Sequence, residues 1–178
     1  MAPDPPPGPS CCLRSGIVAK GKGTPATVAA RRGGISFRLH EYAHDAGTHE
    51  YGPEAVERLG LDPARVFKTL LAATNDGRHV VAVVPVPASL DLKALATVVG
   101  AKQATMARPD DAQRLTGYVL GGISPLGQKR ALPTVVDRSA ADFATVFVSA
   151  GRRGLEIELA PDDLVQLTGG VSAPIAKG

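Results

Sequence analysis

The chain has 178 residues, of which 44% are hydrophobic and 21% charged, and its formal net charge is +3. This length and composition are typical of one globular domain, whose core must rest on Val, Leu, Ile and Ala because Trp is absent. The small positive charge permits an anionic partner but does not by itself indicate one. No apolar run reaches the ~20 residues that a membrane helix needs, and the proline-rich start lacks the pattern of a signal peptide. We therefore expect a cytoplasmic protein.

The first 23 residues are rich in Pro, Gly and Ser and lack apolar periodicity, which is typical of a disordered leader. Cys11 and Cys12 lie in this segment. Two adjacent cysteines make neither a disulfide framework nor a zinc site, so we interpret them as reduced and incidental. The folded domain is expected to span residues 24–178.

Helix signals recur along the chain as a capping residue or proline, an apolar stripe and a closing glycine. Thr24 and Pro25 form the first start signal, and Gly33 with Gly34 forms the first stop. In chain order, the predicted helices span residues 25–32, 53–59, 92–99 and 109–115, and a last one begins at 161.

Runs rich in β-branched residues lie between these helices. The predicted strands span residues 35–39, 66–73, 79–86, 118–120, 133–137, 145–149 and 155–159. The turn Asn75-Asp76-Gly77 joins the second and third strands as a hairpin. Because strands and helices are interspersed without a regular βαβ rhythm, the pattern predicts an α+β fold with a mixed, strongly curved sheet and helices packed outside.

Two features suggest a binding site. Residues 121–127 (GGISPLG) form a glycine-rich segment that could bring backbone N–H groups close to a ligand, because glycine has no Cβ; a plain tight turn is the alternative. Lys68 lies within a strand, with Val66 and Leu70 on its own face. Such a lysine either reaches a ligand or a carboxylate or extends to solvent at a sheet edge, and the residues alone leave these alternatives even.

Segments in the same order resemble the YbaK/EbsC family of aminoacyl-tRNA deacylases. They are residues 39–45, 67–71, 116–120, 121–127, 148–154 and 153–159. The resemblance runs from about residue 24 to 175 and implies a barrel-like fold similar to the editing domain of prolyl-tRNA synthetase. It also implies trans-editing hydrolysis of the ester that joins a mischarged amino acid, cysteine foremost, to tRNA(Pro). In that family the substrate's own thiol is thought to attack the ester, without metal or cofactor.

The same resemblance implies roles for individual residues. Lys68 and Gly121 match the catalytic positions. The positions that match substrate-binding residues are Tyr42, Gly122, Ile123, Ser124, Pro125 and Ser149. The basic pairs next to these loops are candidates for tRNA contacts: Lys129, Arg130, Arg152 and Arg153. Glu156 stands where relatives often have Asp, which leaves its role open.

Two other motifs match only in part. Residues 40–44 (HEYAH) fit the zinc-protease pattern HExxH, which requires both histidines on one helix face. Here the motif follows an alternating strand, which would separate His40 from His44 by ~13 Å at ~3.3 Å per residue. Residues 122–129 approach a nucleotide-phosphate loop, but Lys129 is one residue late and Pro125 removes an N–H donor. We therefore expect no metal site and no nucleotide hydrolysis.

Three alternatives remain beside a cysteine-specific deacylase. The first is a deacylase of Ala-tRNA(Pro) or of other small aminoacyl-tRNAs. The second is a non-catalytic module that binds the tRNA 3′ end or a synthetase, and the third is the zinc protease. The predicted partners are the aminoacylated 3′ end of tRNA(Pro) and, as a further candidate, prolyl-tRNA synthetase.

Overall fold

The computed structural model describes residues 23–178, so the predicted leader lies outside the described residues except for Gly23. Five α-helices occur in this range: α1 (Pro25–Arg32), α2 (Tyr51–Leu59), α3 (Leu92–Val98), α4 (Pro109–Thr116) and α5 (Pro161–Thr168). The strands are β1 (Phe37–Glu41), β2 (Phe67–Thr74), β3 (His79–Pro85), β4 (Ser89–Leu90), β5 (Ala104–Met106), β6 (Thr134–Asp137), β7 (Val146–Arg152), β8 (Leu155–Leu159), β9 (Val171–Ala173) and β10 (Ala176–Lys177).

Local signals position the helices as the sequence predicts. Thr24 caps α1, since its hydroxyl oxygen accepts a hydrogen bond from the Thr27 N–H at 3.2 Å, and Pro25 occupies the first turn. Gly60 ends α2 and Gly117 ends α4, each in the left-handed region that favours glycine. All five predicted helices are present, and α2 begins two residues before its predicted start.

Three sheets are present in the described residues. One has the order β1-β8-β7 and is antiparallel throughout; a second has the order β5-β2-β3-β6-β9; β10 and β4 form the third. The five-stranded sheet is mixed, because β2 pairs with β3 and β5 antiparallel, whereas β6 pairs with β3 and β9 parallel. The α+β class, the mixed sheet and the predicted hairpin are confirmed.

The prediction of a strongly curved, barrel-like sheet is wrong. The two larger sheets are joined by one isolated parallel bridge, between Val66 and Phe147, and no ladder closes them within residues 23–178. Instead they contribute to one shared core, in which Val81 and Val83 of one sheet cluster with Val148 and Ile157 of the other. Burying both apolar faces against the same core stabilises the fold without closure of the backbone hydrogen bonds.

The prediction of a strand at residues 118–120 is also wrong. This segment is a turn, in which the Gly122 N–H donates to the Val119 carbonyl at 3.0 Å. The buried Tyr118 hydroxyl donates to the Leu126 carbonyl at 2.6 Å, which holds its ring beneath the loop, while Val119 is 54% exposed. Of the apolar residues that suggested a strand, Tyr118 is therefore buried and fixes the turn, whereas Val119 is exposed. The short strands β4, β5, β9 and β10 were not predicted as strands.

Alternation along the strands decides which side chains leave the core. On β8, Leu155, Ile157 and Leu159 belong to the core, so Glu156 and Glu158 lie on the opposite face. Across the antiparallel neighbours, Ser149 of β7 and His40 of β1 are paired in register with Glu156. This polar face forms one wall of the site described next. None of the helices described is long and apolar enough to cross a membrane.

Candidate active site

A cavity of about 540 Å³ lies where the two larger sheets separate. Its walls come from β2, the segment that leads into α2, the glycine-rich loop and the polar face of β7 and β8. Lys68, Gly121, Ile123, Ser149 and Glu156 all line it. The volume lies within the range of roughly 300–1,000 Å³ that is typical of small-molecule sites. Residues from four distant parts of the sequence thus meet around one space.

Lys68 presents an amine to this cavity. It lies in β2 and is paired with Val84 of β3, whereas β5 pairs with β2 only at Ala72–Thr74, so the other side of β2 has no ladder partner at Lys68. Its Nζ donates to the Val86 carbonyl at 3.2 Å, and it makes no salt bridge with any described residue. Burial lowers the pKa of the Lys68 amine, because desolvation disfavours the charged form. The amine is therefore available to a ligand.

The glycine-rich loop offers two backbone donors. Neither the Gly121 nor the Ile123 N–H makes a hydrogen bond within the described chain, and both residues line the cavity. Gly122 does not line it: its N–H is used in the turn, and a Cβ there would lie 3.0 Å from the Arg152 backbone. The arrangement could stabilise an oxyanion with two N–H groups.

Ser124 and Pro125, which were predicted to bind substrate, belong to the glycine-rich loop but do not line the cavity. Ser124 is fully buried; its hydroxyl oxygen accepts from the Leu126 N–H at 3.2 Å, and its carbonyl accepts from Gln128 at 3.0 Å. These contacts fix the path of the loop, so in this geometry both residues support the donors of Gly121 and Ile123.

Tyr42 and Ser149 are placed differently. Ser149 lines the cavity beside Glu156, its partner across the strands. Tyr42 does not line the cavity; its N–H donates to the Gly154 carbonyl at 2.9 Å. Burial, reinforced by the negative charges of Glu156 and Glu54, raises the pKa of the Tyr42 hydroxyl to about 12. Tyr42 is therefore a neutral phenol near Glu156 that does not itself line the cavity.

Tyr51 is a cavity residue that sequence reasoning missed. A Cβ on Gly121 would lie 2.5 Å from the Tyr51 ring, so the glycine leaves the space that the ring occupies. The Arg153 guanidinium lies 4.9 Å from the ring centroid, and its Nε donates to the Leu120 carbonyl at 2.9 Å. Arg153 thus contacts both the Tyr51 ring and the backbone just before the glycine-rich loop. The available signal was an aromatic residue two residues before the start of a predicted helix.

The remaining basic candidates lie outside the cavity wall. Arg152 forms an ion pair with Glu41 on the exposed end of β1. Lys129 and Arg130 are exposed, and their N–H groups donate to the Thr116 and Leu115 carbonyls at the end of α4. Only Arg153 is connected to the cavity, through Tyr51.

The HExxH residues do not form a metal site. His40 lies on β1 and binds Glu158 at 2.8 Å, whereas His44 lies beyond the strand and binds Glu54 at 2.7 Å. The two histidines therefore have different carboxylate partners and share no helix. Residues 23–178 contain no group of three His, Cys, Asp or Glu side chains placed to hold a metal.

Comparison with known proteins agrees with this architecture. Residues 47–167 match the family model of the aminoacyl-tRNA editing domain. The "Putative Cys-tRNA(Pro)/Cys-tRNA(Cys) deacylase EbsC" of Enterococcus faecalis is 39% identical over 141 residues, which cover 79% of this chain and 85% of that protein. A proline–tRNA ligase of Acidithiobacillus ferrooxidans is 33% identical over 95 residues, 52% of this chain and 16% of the ligase.

Solved structures share the fold. The "hypothetical protein APE2540" superposes with a TM-score of 0.78 at 27% identity, covering 86% of this chain and 99% of that one. A "putative trans-editing enzyme for prolyl tRNA synthetase" superposes with a TM-score of 0.76 at 24% identity, covering 86% and 96%. The chain belongs to the aminoacyl-tRNA editing domain family, and the predicted enzyme class, an aminoacyl-tRNA deacylase, is confirmed.

Proposed function

We propose that this protein is a trans-editing hydrolase that deacylates mischarged Cys-tRNA(Pro). The observation that carries the proposal is the single cavity shared by the Lys68 amine and the unpaired Gly121 and Ile123 N–H groups. An aminoacyl ester presents a carbonyl to such donors, and the cavity volume of about 540 Å³ is typical of sites for small ligands. The similarity to EbsC of Enterococcus faecalis supports cysteine as the acyl group.

In this proposal the glycine-rich loop stabilises the developing negative charge, and Lys68 orients the substrate. The Gly121 and Ile123 N–H groups hold the oxygen on which negative charge develops as the carbonyl is attacked, a contribution that is typically worth about 10²–10³ in kcat for one donor. Lys68 orients the acyl group and favours the thiolate of a cysteinyl substrate. Because an aminoacyl ester is already activated, positioning and oxyanion stabilisation suffice without an enzyme nucleophile.

The substrate supplies the nucleophile. Its thiol gives up a proton, and the sulfur attacks the ester carbonyl carbon of the same residue; a carbon–sulfur bond forms as the carbon–oxygen bond to the ribose breaks. The ribose oxygen takes up a proton and leaves as the free 3′ end of the tRNA. Water then opens the cyclic thioester to release cysteine.

The tRNA would approach from the side of the glycine-rich loop. Arg153 lies against Tyr51 at this side, and Arg152, Lys129 and Arg130 are exposed. Contacts between these cations and the phosphates of the 3′ end would make affinity fall with salt. Prolyl-tRNA synthetase, which charges tRNA(Pro), is the proposed protein partner.

Turnover across matched substrates tests the proposal. Purified protein is mixed with Cys-tRNA(Pro), Ser-tRNA(Pro), Ala-tRNA(Pro) and Cys-tRNA(Cys), and the loss of the ester is followed. Rapid deacylation of Cys-tRNA(Pro), with Ser-tRNA(Pro) spared, is expected because serine differs only by replacing the sulfur that attacks. Hydrolysis of Ala-tRNA(Pro) at the same rate would remove the thiol mechanism, since alanine has no nucleophile. Binding of the acylated 3′ end without turnover would favour the non-catalytic module.

A further inference from the structure

Glu156 is a buried carboxyl group without a partner. Its side chain is only 8% exposed and lines the cavity, yet it makes no hydrogen bond or salt bridge with any residue in the described range. Glu158, two residues along the same face, differs: it accepts from Thr145 at 2.7 Å and pairs with His40 at 2.8 Å. Buried Glu54 likewise accepts from the Asp45 N–H and pairs with His44, both at 2.7 Å.

An unpaired buried carboxyl is unfavourable for the empty protein, because the charged form loses its hydration. Accordingly, burial raises the pKa of Glu156 to about 8. A costly group retained at the wall of a cavity indicates a ligand that supplies the missing partner. The complement of a carboxylate in such a place is a cation that can also donate hydrogen bonds.

The protein's own cation does not fill this role. Lys68 lines the same cavity, but its Nζ is bound to the Val86 carbonyl and forms no salt bridge with Glu156. The cavity thus carries a cationic amine and two N–H donors together with a separate, unsatisfied acceptor. A ligand that fits both must combine an electron-rich oxygen with a nearby ammonium group.

The aminoacyl ester has this combination, since its α-ammonium is attached to the carbon next to the reacting carbonyl. We propose that Glu156 binds the α-ammonium of the aminoacyl group and thereby restricts the enzyme to substrates with a free α-amino group. This inference rests on the proposed function for the identity of the ligand. It assigns Glu156 a role in substrate binding and orientation, and it makes N-acylated aminoacyl-tRNAs poor ligands.

Binding of two stable analogues tests the inference separately from turnover. The probes are 3′-(L-cysteinylamino)-3′-deoxyadenosine, whose amide replaces the labile ester, and the same compound acetylated on the α-nitrogen with its thiol free. Wild-type protein is expected to bind the free amine at least tenfold more tightly. In Glu156→Gln, which keeps the shape but removes the charge, the two affinities should become equal through loss of affinity for the free amine alone.

Glu158→Gln is the matched control. It removes a carboxylate from the same strand face without altering the cavity wall, so the preference for the free amine should remain. Thermal unfolding of each variant verifies that the fold is intact. Equal affinities of the wild-type protein for the two probes, or an undiminished preference in Glu156→Gln, overturn the assignment.

Turnover of Cys-tRNA(Pro) is measured on the same preparations. A protein that prefers the free-amine probe through Glu156 but hydrolyses no aminoacyl-tRNA retains this inference and loses the proposed function. A protein that hydrolyses Cys-tRNA(Pro) and its N-acetylated form equally well retains the function and loses the inference.

Discussion

Replacing Glu156 with Gln should stabilise the protein, and by an amount that grows with pH. The carboxyl titrates at about 8 in the folded protein because of burial, against an ordinary pKa of 4.5. Below pH 4.5 both states carry the proton. As the pH rises from 4.5 to about 8, the unfolded chain releases the proton while the native protein keeps it, so the free energy of unfolding falls.

The size of the effect follows from the pKa difference. Since each pKa unit corresponds to about 1.36 kcal/mol, the loss of native stability approaches roughly 5 kcal/mol above pH 8 and is roughly 3 kcal/mol at pH 7. These values are upper bounds, because Glu156 faces the cavity and keeps 8% of its exposure. The titratable groups around Glu156 are Tyr42, His40, Lys68, His49, Glu50 and Tyr51. All of them are present in both proteins, so the difference between wild type and variant isolates Glu156.

Urea unfolding at pH 5, 6.5 and 8 measures the effect, followed by circular dichroism because the chain has no Trp. The advantage of Glu156→Gln should be small at pH 5 and largest at pH 8. Glu158→Gln should have the opposite sign: burial acts to raise the pKa of Glu158, but hydrogen bonds from Thr145 and His40 outweigh it and hold that pKa below its ordinary value. An advantage of Glu156→Gln that is constant across the pH range would refute this reasoning.

Four further outcomes are expected. Lys68→Ala should reduce kcat/KM for Cys-tRNA(Pro) at least 100-fold with little change in the melting temperature, since the half-buried amine makes one hydrogen bond, to the Val86 carbonyl, and no salt bridge with a described residue; unchanged turnover would exclude Lys68 from the site. Gly121 and Gly77 have similar positive φ values of 80° and 84°, but only at Gly121 would a Cβ clash with the Tyr51 ring. Gly77→Ala should therefore lose about 1 kcal/mol of stability and keep turnover, whereas Gly121→Ala should lose more stability, because of the added clash, and should also lose turnover. Thr69→Val should raise stability by about 1 kcal/mol in urea unfolding, because its buried hydroxyl has no partner among the described residues. Replacing Arg152 and Arg153 by Gln should flatten the plot of log affinity for tRNA against log salt by about 1.4 if both contact phosphates; an unchanged slope would remove them from the tRNA surface.

Local features of the fold were predictable because their causes lie within a few residues. The cap at Thr24, the glycine that ends α2 and the turn between β2 and β3 each depend on neighbours in sequence. The failed predictions depend on distant contacts. Residues 118–120 resemble a strand, yet the bond from Tyr118 to Leu126 makes them a turn. Whether the sheets close likewise depends on one long-range meeting point, between Val66 and Phe147.

The residues of the candidate site could be anticipated only in part. For Lys68 and Gly121 the residues alone left a functional and a structural interpretation open, and the family resemblance favoured the functional one. That Gly121 accommodates the ring of Tyr51, seventy residues earlier in the chain, has no local signature. Nor does any pattern reveal that Glu158 is partnered while Glu156 is not, since this depends on where Thr145 and His40 lie.

The separation of the two sheets explains how one cavity can contain opposite charges that do not neutralise each other. Lys68 belongs to the five-stranded sheet and Glu156 to the three-stranded sheet, and within the described chain the one backbone bridge between these sheets joins Val66 and Phe147. Because β7 lies between β2 and β8 at this meeting point, Lys68 and Glu156 are not on neighbouring strands, and no salt bridge joins them. The Lys68 amine is bound to the Val86 carbonyl and Glu156 has no partner among the described residues, so each can take up a ligand group of complementary charge.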